Sequence, residues 1–198
     1  MDTIPQDIIN FKPTALVRQP LTPSVWELIT TIAPIIHQSR LFGVNSPEQA
    51  AAIMLKGHEL GLGLAASFEY INVIQGKPAL SPRGALALVL ASGLLTDMHI
   101  DEQPGRCTAT MQRGPITYAV TWTLDDAKKA GIIKPDGAWT TYQANMLRWR
   151  AIGFVLDVLF PDIIGGLKRA DEFGAPIDND GNVLIVATAP EFEAEPVP

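Results

Sequence analysis

Three stretches in the first half of the chain predict helices from the spacing of their apolar residues and from their end residues. The first, 22–41, opens with Thr22 as a cap and Pro23 in the first turn, where a missing N–H costs nothing. Pro34 is expected to kink or split this helix, because proline cannot donate the hydrogen bond that a helix interior requires. The second begins at 45–47 and the third runs over 81–93, each opened by a Ser-Pro pair.

Strands are predicted where the apolar pattern changes to a period of two. Residues 68–74 alternate in this way, and the Gln75–Pro78 turn leads into a short return strand, so this region predicts a hairpin. A second alternating region divides at two Pro/Gly turns into strands over 97–103, 106–112 and 116–122. Because both turns are short, these three strands are expected to form an antiparallel meander.

The second half of the chain predicts one short and one long helix. Thr123 can cap the short helix, with Asp126 at the capping-box position. The long helix is expected over 140–159, ended by Pro161. Its core-facing residues are predicted to be Tyr142, Met146, Trp149, Ile152, Leu156 and Leu159.

The predicted fold class is therefore α+β: a small antiparallel β-meander plus a β-hairpin, packed against several α-helices, with disordered termini. Three proline residues and a polar composition mark residues 1–21 as an N-terminal arm. Residues 22–175 are expected to form a single α+β core. Residues 176–198 are Pro-, Asp- and Glu-rich and are expected to be a flexible acidic tail.

Charge is unevenly distributed along the chain, although the formal net charge is −6. Residues 40–169 carry thirteen Lys and Arg against eleven Asp and Glu, whereas residues 170–198 carry seven acids and no Lys or Arg. A mildly basic core is compatible with a nucleic-acid partner, and an acidic tail could compete weakly for that partner or recruit a protein. A solvated surface with a disordered tail explains the charge equally well.

Little in the composition favours an enzyme, a membrane protein or a secreted protein. The single cysteine excludes an intramolecular disulfide, and there is neither a long apolar run nor a secretory signal, so a cytoplasmic location is predicted. We find no nucleophile elbow, zinc-protease motif, phosphate loop or dinucleotide motif. No catalytic residue, cofactor or metal is predicted. Asp125 and Asp126 resemble a metal-binding pair, but acids are favoured in a first helical turn, and the structural interpretation is preferred.

Basic residues form the better candidate site. Two arginines lie on the predicted long helix, three lysines lie just before it, and two further cations bracket the hairpin's return strand. Such clustering suits a groove that follows phosphates, although long cationic side chains also cover apolar surface, and composition leaves both possibilities open. The candidate DNA-binding residues are Lys77, Arg83, Lys128, Lys129, Lys134, Arg148 and Arg150.

Several motifs together resemble one protein family. They are ELGLGLAASFEYINVIQGKPALSPRGALALVLASG at 59–93, TWTLDDAKKAGI from Thr121, MLRWRA at 146–151 and FPDIIGGLKRADEFGA at 160–175. In this order they resemble the RecT/Redβ-type phage single-strand annealing proteins over about residues 40–175.

The resemblance implies a non-enzymatic protein of phage or prophage recombination in a bacterial host. It implies ATP-independent annealing of single-stranded DNA by a ring or filament of identical subunits. The implied partners are single-stranded DNA, the annealed duplex, and a phage exonuclease or a host single-strand-binding protein. Arg148 and Arg150 match positions of the family's DNA groove, whereas Ala144 and Asp157 replace residues that are often basic there.

Two other functions remain open. A metal-dependent nuclease could use Asp125 and Asp126 with Asp157 or Asp162. A structural or regulatory oligomer could have kept the fold and lost DNA binding, for which Asp157 and the acidic tail are the motivation.

The first helix also carries an apolar face that includes Trp26, Ile29, Ile32 and Ile36. Part of such a face would remain exposed, and exposed apolar patches mark interfaces. A homo-oligomer built through residues 1–41 and the 68–80 hairpin is therefore predicted.

Overall fold

A computed structural model describes residues 20–184. The described residues form seven α-helices and two small antiparallel sheets, so the predicted α+β class is confirmed. Nearly all of the N-terminal arm, and residues 185–198 of the tail, lie outside the described residues.

Two capped helices begin the fold. Helix α1 spans Pro23–Ser39 and accepts a cap hydrogen bond from Val25 N at Thr22 Oγ1 (3.3 Å). It runs through Pro34 as one element rather than splitting there. Helix α2 spans Pro47–Glu59, and its N-terminus is capped by the Ser46 hydroxyl. The two helices pack against each other along their length.

The hairpin is shorter than predicted. A helical turn, α3 (Ser67–Tyr70), precedes strand β1 (Ile71–Ile74), so the expected strand over 68–74 is wrong in its first half. The reason is a close approach between Ser67 and α2. Ser67 is fully buried against Gly57, and a Cβ on Gly57 would lie 1.8 Å from the Ser67 hydroxyl. Strand β2 (Lys77–Leu80) follows a two-residue turn and pairs with β1 from Ile71↔Leu80 onward.

Helix α4 (Pro82–Ser92) leads to the meander of β3 (Asp97–Gln103), β4 (Arg106–Arg113) and β5 (Ile116–Thr123), paired in the order β3-β4-β5 as predicted. Every second residue of β4 is buried, and this inner face packs on the last long helix. The buried β4 side chains are Cys107, Ala109 and Met111.

Helix α5 (Leu124–Lys129) and the short α6 (Ala138–Thr141) precede α7 (Gln143–Leu159), and a 3-10 turn, Ala170–Phe173, follows. The predicted helix over 140–159 is thus divided at Tyr142, whose φ of −122° and ψ of 42° break the helical backbone. Tyr142 is 39% exposed and is not a core residue, whereas the other five predicted core positions of this helix are buried. Helix α7 packs on β4 and β5 and also contacts α4 and the 3-10 turn, so it is the central element of the core.

The predicted start of a flexible tail at residue 176 is too early. Ile177 is fully buried, and Leu184 N donates to Pro176 O at 2.9 Å. The Trp149 indole donates to Asp178 O at 3.2 Å, which ties this segment to α7. Residues 176–184 therefore belong to the folded core, because apolar side chains among the acids find partners there.

Candidate nucleic-acid interface

Arg148 lies on the outer side of α7 and is already bound to the protein. Its Nε donates to Glu102 Oε1 at 2.7 Å and its Nη2 to Glu102 Oε2 at 2.8 Å, which is a two-point pairing. Its Nη1 also donates to Asn179 O at 3.3 Å. The hydrogen bonds to Glu102 raise the pKa of the Arg148 guanidinium above its ordinary value. The side chain remains 28% exposed, so this pair lies at the surface.

Arg150 occupies a different environment only two residues further along. Its side chain is 12% exposed, and its Nη1 donates to the buried Asp171 carboxylate at 3.1 Å. Its Cζ lies 5.7 Å from the ring centroid of Trp122 and 5.4 Å from that of Phe154. These aromatic rings cover the guanidinium and add cation–π attraction. Arg150 is therefore a packing residue in this structure, and its predicted contact with phosphate stays a prediction.

The most buried cation is Arg169, which sequence reasoning did not single out. Its side chain is fully buried, with Nη1 donating to Asp157 at 2.6 Å and Nε to Asp171 at 3.1 Å. Glu172 lies 3.5 Å from Nη1. Burial alone would lower the pKa of the Arg169 guanidinium, but Asp171, Asp157 and Glu172 together hold it above its ordinary value. We name Arg150, Asp157, Arg169, Asp171 and Glu172 the buried charge cluster.

Asp157, which stands where the annealing proteins often carry a basic residue, accepts from Arg169, which enters from the segment after the helix. One sequence feature could have indicated this buried arginine: Gly153, a glycine inside a helix. A Cβ at this position would lie 2.1 Å from Arg169 Cζ.

The carboxylates of the alternative nuclease site are engaged in local contacts. Asp126 completes the predicted capping box: it accepts from Thr123 N at 3.0 Å and its own N–H donates to Thr123 Oγ1 at 3.1 Å. Hydrogen bonds from the Thr123 hydroxyl and backbone N–H lower the pKa of the Asp126 carboxyl. Asp125 pairs with Lys128 at 3.2 Å, and Asp162 pairs with Arg113 at 2.6 Å. Within residues 20–184 no group of three or more His, Cys, Asp or Glu side chains is placed to hold a metal ion.

One candidate cation, Arg148, and a further arginine, Arg106, lie at one end of the meander. Arg148 contacts Glu102 at the end of β3, and Arg106 begins β4 opposite Thr123 of β5. Helix α5 starts directly after Thr123, with Leu124 N donating to Gly105 O in the β3–β4 turn at 2.9 Å. Arg106 and Arg148 thus lie beside this turn, and the exposed Lys128, Lys129 and Lys134 follow along the chain from the helix that starts there. We name these five residues the turn-end surface.

Two candidate cations lie elsewhere. Lys77 is exposed at the start of β2, beside the hairpin turn. Arg83 is exposed in the first turn of α4, and its backbone N–H donates to Gly181 O at 3.0 Å. Because Asn179 of the same 178–181 loop contacts Arg148, this loop connects Arg83 to the turn-end surface, whereas the hairpin lysine stands apart.

The turn-end surface borders a small groove. It has a volume of about 260 Å³ and lies between the β3–β4 turn and the first residues of α7. Glu102, Arg106 and Cys107 line its strand side, and Gln143, Ala144 and Leu147 line its helix side. Burial, followed by the nearby Glu102 charge, raises the pKa of the Cys107 thiol to about 11.

The apolar face of α1 differs from the predicted one. Ile29 is fully buried and belongs to the core, so it cannot contribute to an interface. The exposed apolar residues of this helix are Trp26, which was predicted, and Leu28 and Ile35, which were not, at 46%, 50% and 60% exposure. A groove of about 460 Å³ between α1 and α2 is lined by Trp26, Pro34, Ala51 and Leu55, among others.

No protein-family model matches this chain, and no curated protein is significantly similar to it. The resemblance to the annealing proteins therefore rests on the motifs alone. Within the described residues, no helix has the length and apolar character needed to cross a bilayer.

Proposed function

We propose that this chain binds single-stranded DNA by its phosphates and anneals complementary strands without ATP, as a homo-oligomer. The observation that carries the proposal is a groove lined by Arg106 of β4 and by Glu102, which holds Arg148 of α7, with exposed Lys128 and Lys129 on α5. The motifs that resemble the annealing proteins contribute two of these three elements, α5 and α7.

Phosphate contacts suit annealing because pairing requires the base edges to stay free. Arg106, Lys128 and Arg148 each have a carboxylate partner within 3.7 Å, so one subunit offers a phosphate few unoccupied cations. Affinity per subunit is therefore expected to be low. An oligomer that aligns many turn-end surfaces multiplies weak contacts into useful affinity, and base pairing itself drives annealing.

Assembly is proposed to use the exposed face of α1. Head-to-tail contacts between identical subunits close into rings or extend into helical filaments. The Leu28→Asp plus Ile35→Asp variant should sediment as a smaller species and bind long single strands more weakly. Trp26 is left intact in this variant because it also lines the α1–α2 groove. A monomeric unmodified protein, with and without DNA, would contradict the assembly part of the proposal.

The direct test measures annealing of two complementary labelled oligonucleotides by energy transfer, without nucleotide cofactor. The unmodified protein should accelerate annealing, and electron microscopy with long single strands should show rings or filaments. A Lys129→Ala plus Lys134→Ala variant should anneal more slowly and show a smaller salt dependence of binding, by roughly 0.7 for each lost phosphate contact on a single strand. A Lys56→Ala variant is the matched control, since Lys56 lies on α2 and pairs with Glu59.

A second function, a structural or regulatory oligomer without DNA binding, is favoured by one observation. Both arginines that match the family's DNA groove are engaged by Glu102 and Asp171. This function predicts assemblies that form without DNA and do not change in size, number or shape when single strands are added.

A further inference from the structure

Glu102 holds Arg148 in the geometry that a phosphate would adopt. The two N–H···O contacts of 2.7 and 2.8 Å engage Nε and Nη2 on one edge of the guanidinium. That edge is the fork that binds carboxylates and phosphates with two parallel hydrogen bonds. The Glu102 carboxylate therefore occupies the position at which this arginine would receive a phosphate oxygen pair.

The Glu102–Arg148 pair lies where a phosphate can reach Arg148 and replace the Glu102 carboxylate. Glu102 is 41% exposed and Arg148 28% exposed, and the groove beside them opens between the β3–β4 turn and α7. Rotating the Glu102 side chain into solvent would leave the core residues of α7 covered. The Arg150–Asp171 pair, at 12% and 0% exposure, offers no comparable route.

We propose that Glu102 is a built-in competitor for phosphate, and that single-stranded DNA binds by displacing its carboxylate from Arg148. This inference rests on the proposed function and names the contact that regulates it. An exposed ion pair contributes little stability, so its loss is easily offset. Because Glu102 is tethered beside Arg148, its effective concentration is high, and a lone phosphate is a poor competitor. A polymer that presents many phosphates to many subunits competes well.

The consequence is a preference for long phosphate chains over mononucleotides. Each subunit stays largely neutral at this site until a strand engages neighbouring subunits together. The device would therefore suppress binding of free nucleotides while permitting cooperative loading on single strands.

The test compares Glu102→Gln with Asp97→Asn in the full chain. Both remove one negative charge from β3, but Asp97 lies at the opposite end of the strand and faces the other side of the sheet. Binding of fluorescein-labelled oligothymidylate is measured by anisotropy over a range of salt concentrations. Each variant is also made with Arg148→Ala, and thymidine monophosphate is added as a competitor.

Glu102→Gln is expected to tighten binding by about threefold to fivefold, the size of one exposed ion pair, with Asp97→Asn below about twofold. The salt dependence of Glu102→Gln should match that of the unmodified protein, because Arg148 contacts phosphate in both complexes. The gain in affinity should vanish in the Arg148→Ala background. Thymidine monophosphate should compete better in Glu102→Gln than in the unmodified protein.

Equal affinities for Glu102→Gln and Asp97→Asn would overturn the inference and leave the proposed function standing. Binding by Glu102→Gln alone, with none by the unmodified protein, would also overturn the inference, because it requires a strand to displace Glu102 in the unmodified protein. Absence of binding by every variant would overturn both. Glu102→Asp, which keeps the charge but shortens the side chain, provides a second variant. Loss of folded protein in both Glu102→Gln and Glu102→Asp would identify the Glu102–Arg148 pair as a structural contact and overturn the inference.

Discussion

Arg148 and Arg150 lie two residues apart on α7, yet their side chains lie in two regions that differ in solvent exposure and in the partners of the guanidinium. Arg148 belongs to the turn-end surface and pairs with an exposed glutamate, whereas Arg150 belongs to the buried charge cluster and lies beside two aromatic rings. At the surface, water competes for both charges and the pair is easily exchanged. In the interior, removing one charge leaves its partner without water, so the same residue type becomes structural.

The largest effect is expected from breaking the buried charge cluster at Arg169. Arg169→Met should destabilise the protein by about 3–5 kcal/mol, because the buried Asp171 and its neighbours lose their main counter-charge. Urea unfolding followed by circular dichroism measures the loss. Lys56→Ala, which breaks an exposed pair with Glu59, should cost no more than about 0.5 kcal/mol. Similar losses in the two variants would contradict the distinction between the regions.

Steric crowding at Gly153 tests the same cluster without changing charge. Gly153→Ala would place a Cβ 2.1 Å from the Arg169 guanidinium carbon. Because Arg169 is fully buried and held by carboxylates, it cannot move aside freely. The variant should lose roughly 1–3 kcal/mol despite alanine's better helix propensity. Gly63→Ala, with no heavy atom within 4 Å of its Cβ, is the control and should be nearly neutral.

The two arginines can be compared directly by alanine substitution. Arg150→Ala should destabilise the fold by roughly 2 kcal/mol, because it removes a charged hydrogen bond to Asp171 and the contacts with Trp122 and Phe154. Arg148→Ala should cost less than about 1 kcal/mol. The effects on DNA binding should have the opposite order: Arg148→Ala should change the salt dependence of binding more than Arg150→Ala does. A variant that loses both stability and salt dependence at position 148 would contradict this assignment.

The smallest expected effect concerns Cys107, which lines the groove below Glu102. Its pKa is raised from 9.0 to about 11, mainly by burial, so the folded thiol stays protonated where the unfolded thiol ionises. Stability from this group is therefore present below pH 9 and is lost as the pH rises from 9 towards 11. Cys107→Ala should show a smaller loss of melting temperature over this range. The same loss in both proteins would show that other groups are responsible.

Local features were predicted well because their causes lie within a few residues. The Thr22 and Thr123 caps, the Ser-Pro helix starts at 46–47 and 81–82 and the three meander strands all formed as expected. Their hydrogen bonds join near neighbours in the chain or, in the meander, strands joined by short turns. The error over 68–74 arose where a distant glycine in α2 admitted Ser67 and replaced strand with helix.

The sequence by itself determined the fold class, the capped N-termini of the helices and the segments on which the basic residues lie. Only the tertiary structure decided which cations remain at the surface, because the environment of each arginine depends on a carboxylate that is distant in the chain. Glu102 meets Arg148 across 46 residues, and Asp171 meets Arg150 across 21. Helical periodicity gives the direction of an arginine but not what lies opposite it. Burial and counter-charge, which settle whether that arginine is structural or exchangeable, exist only once the chain has packed.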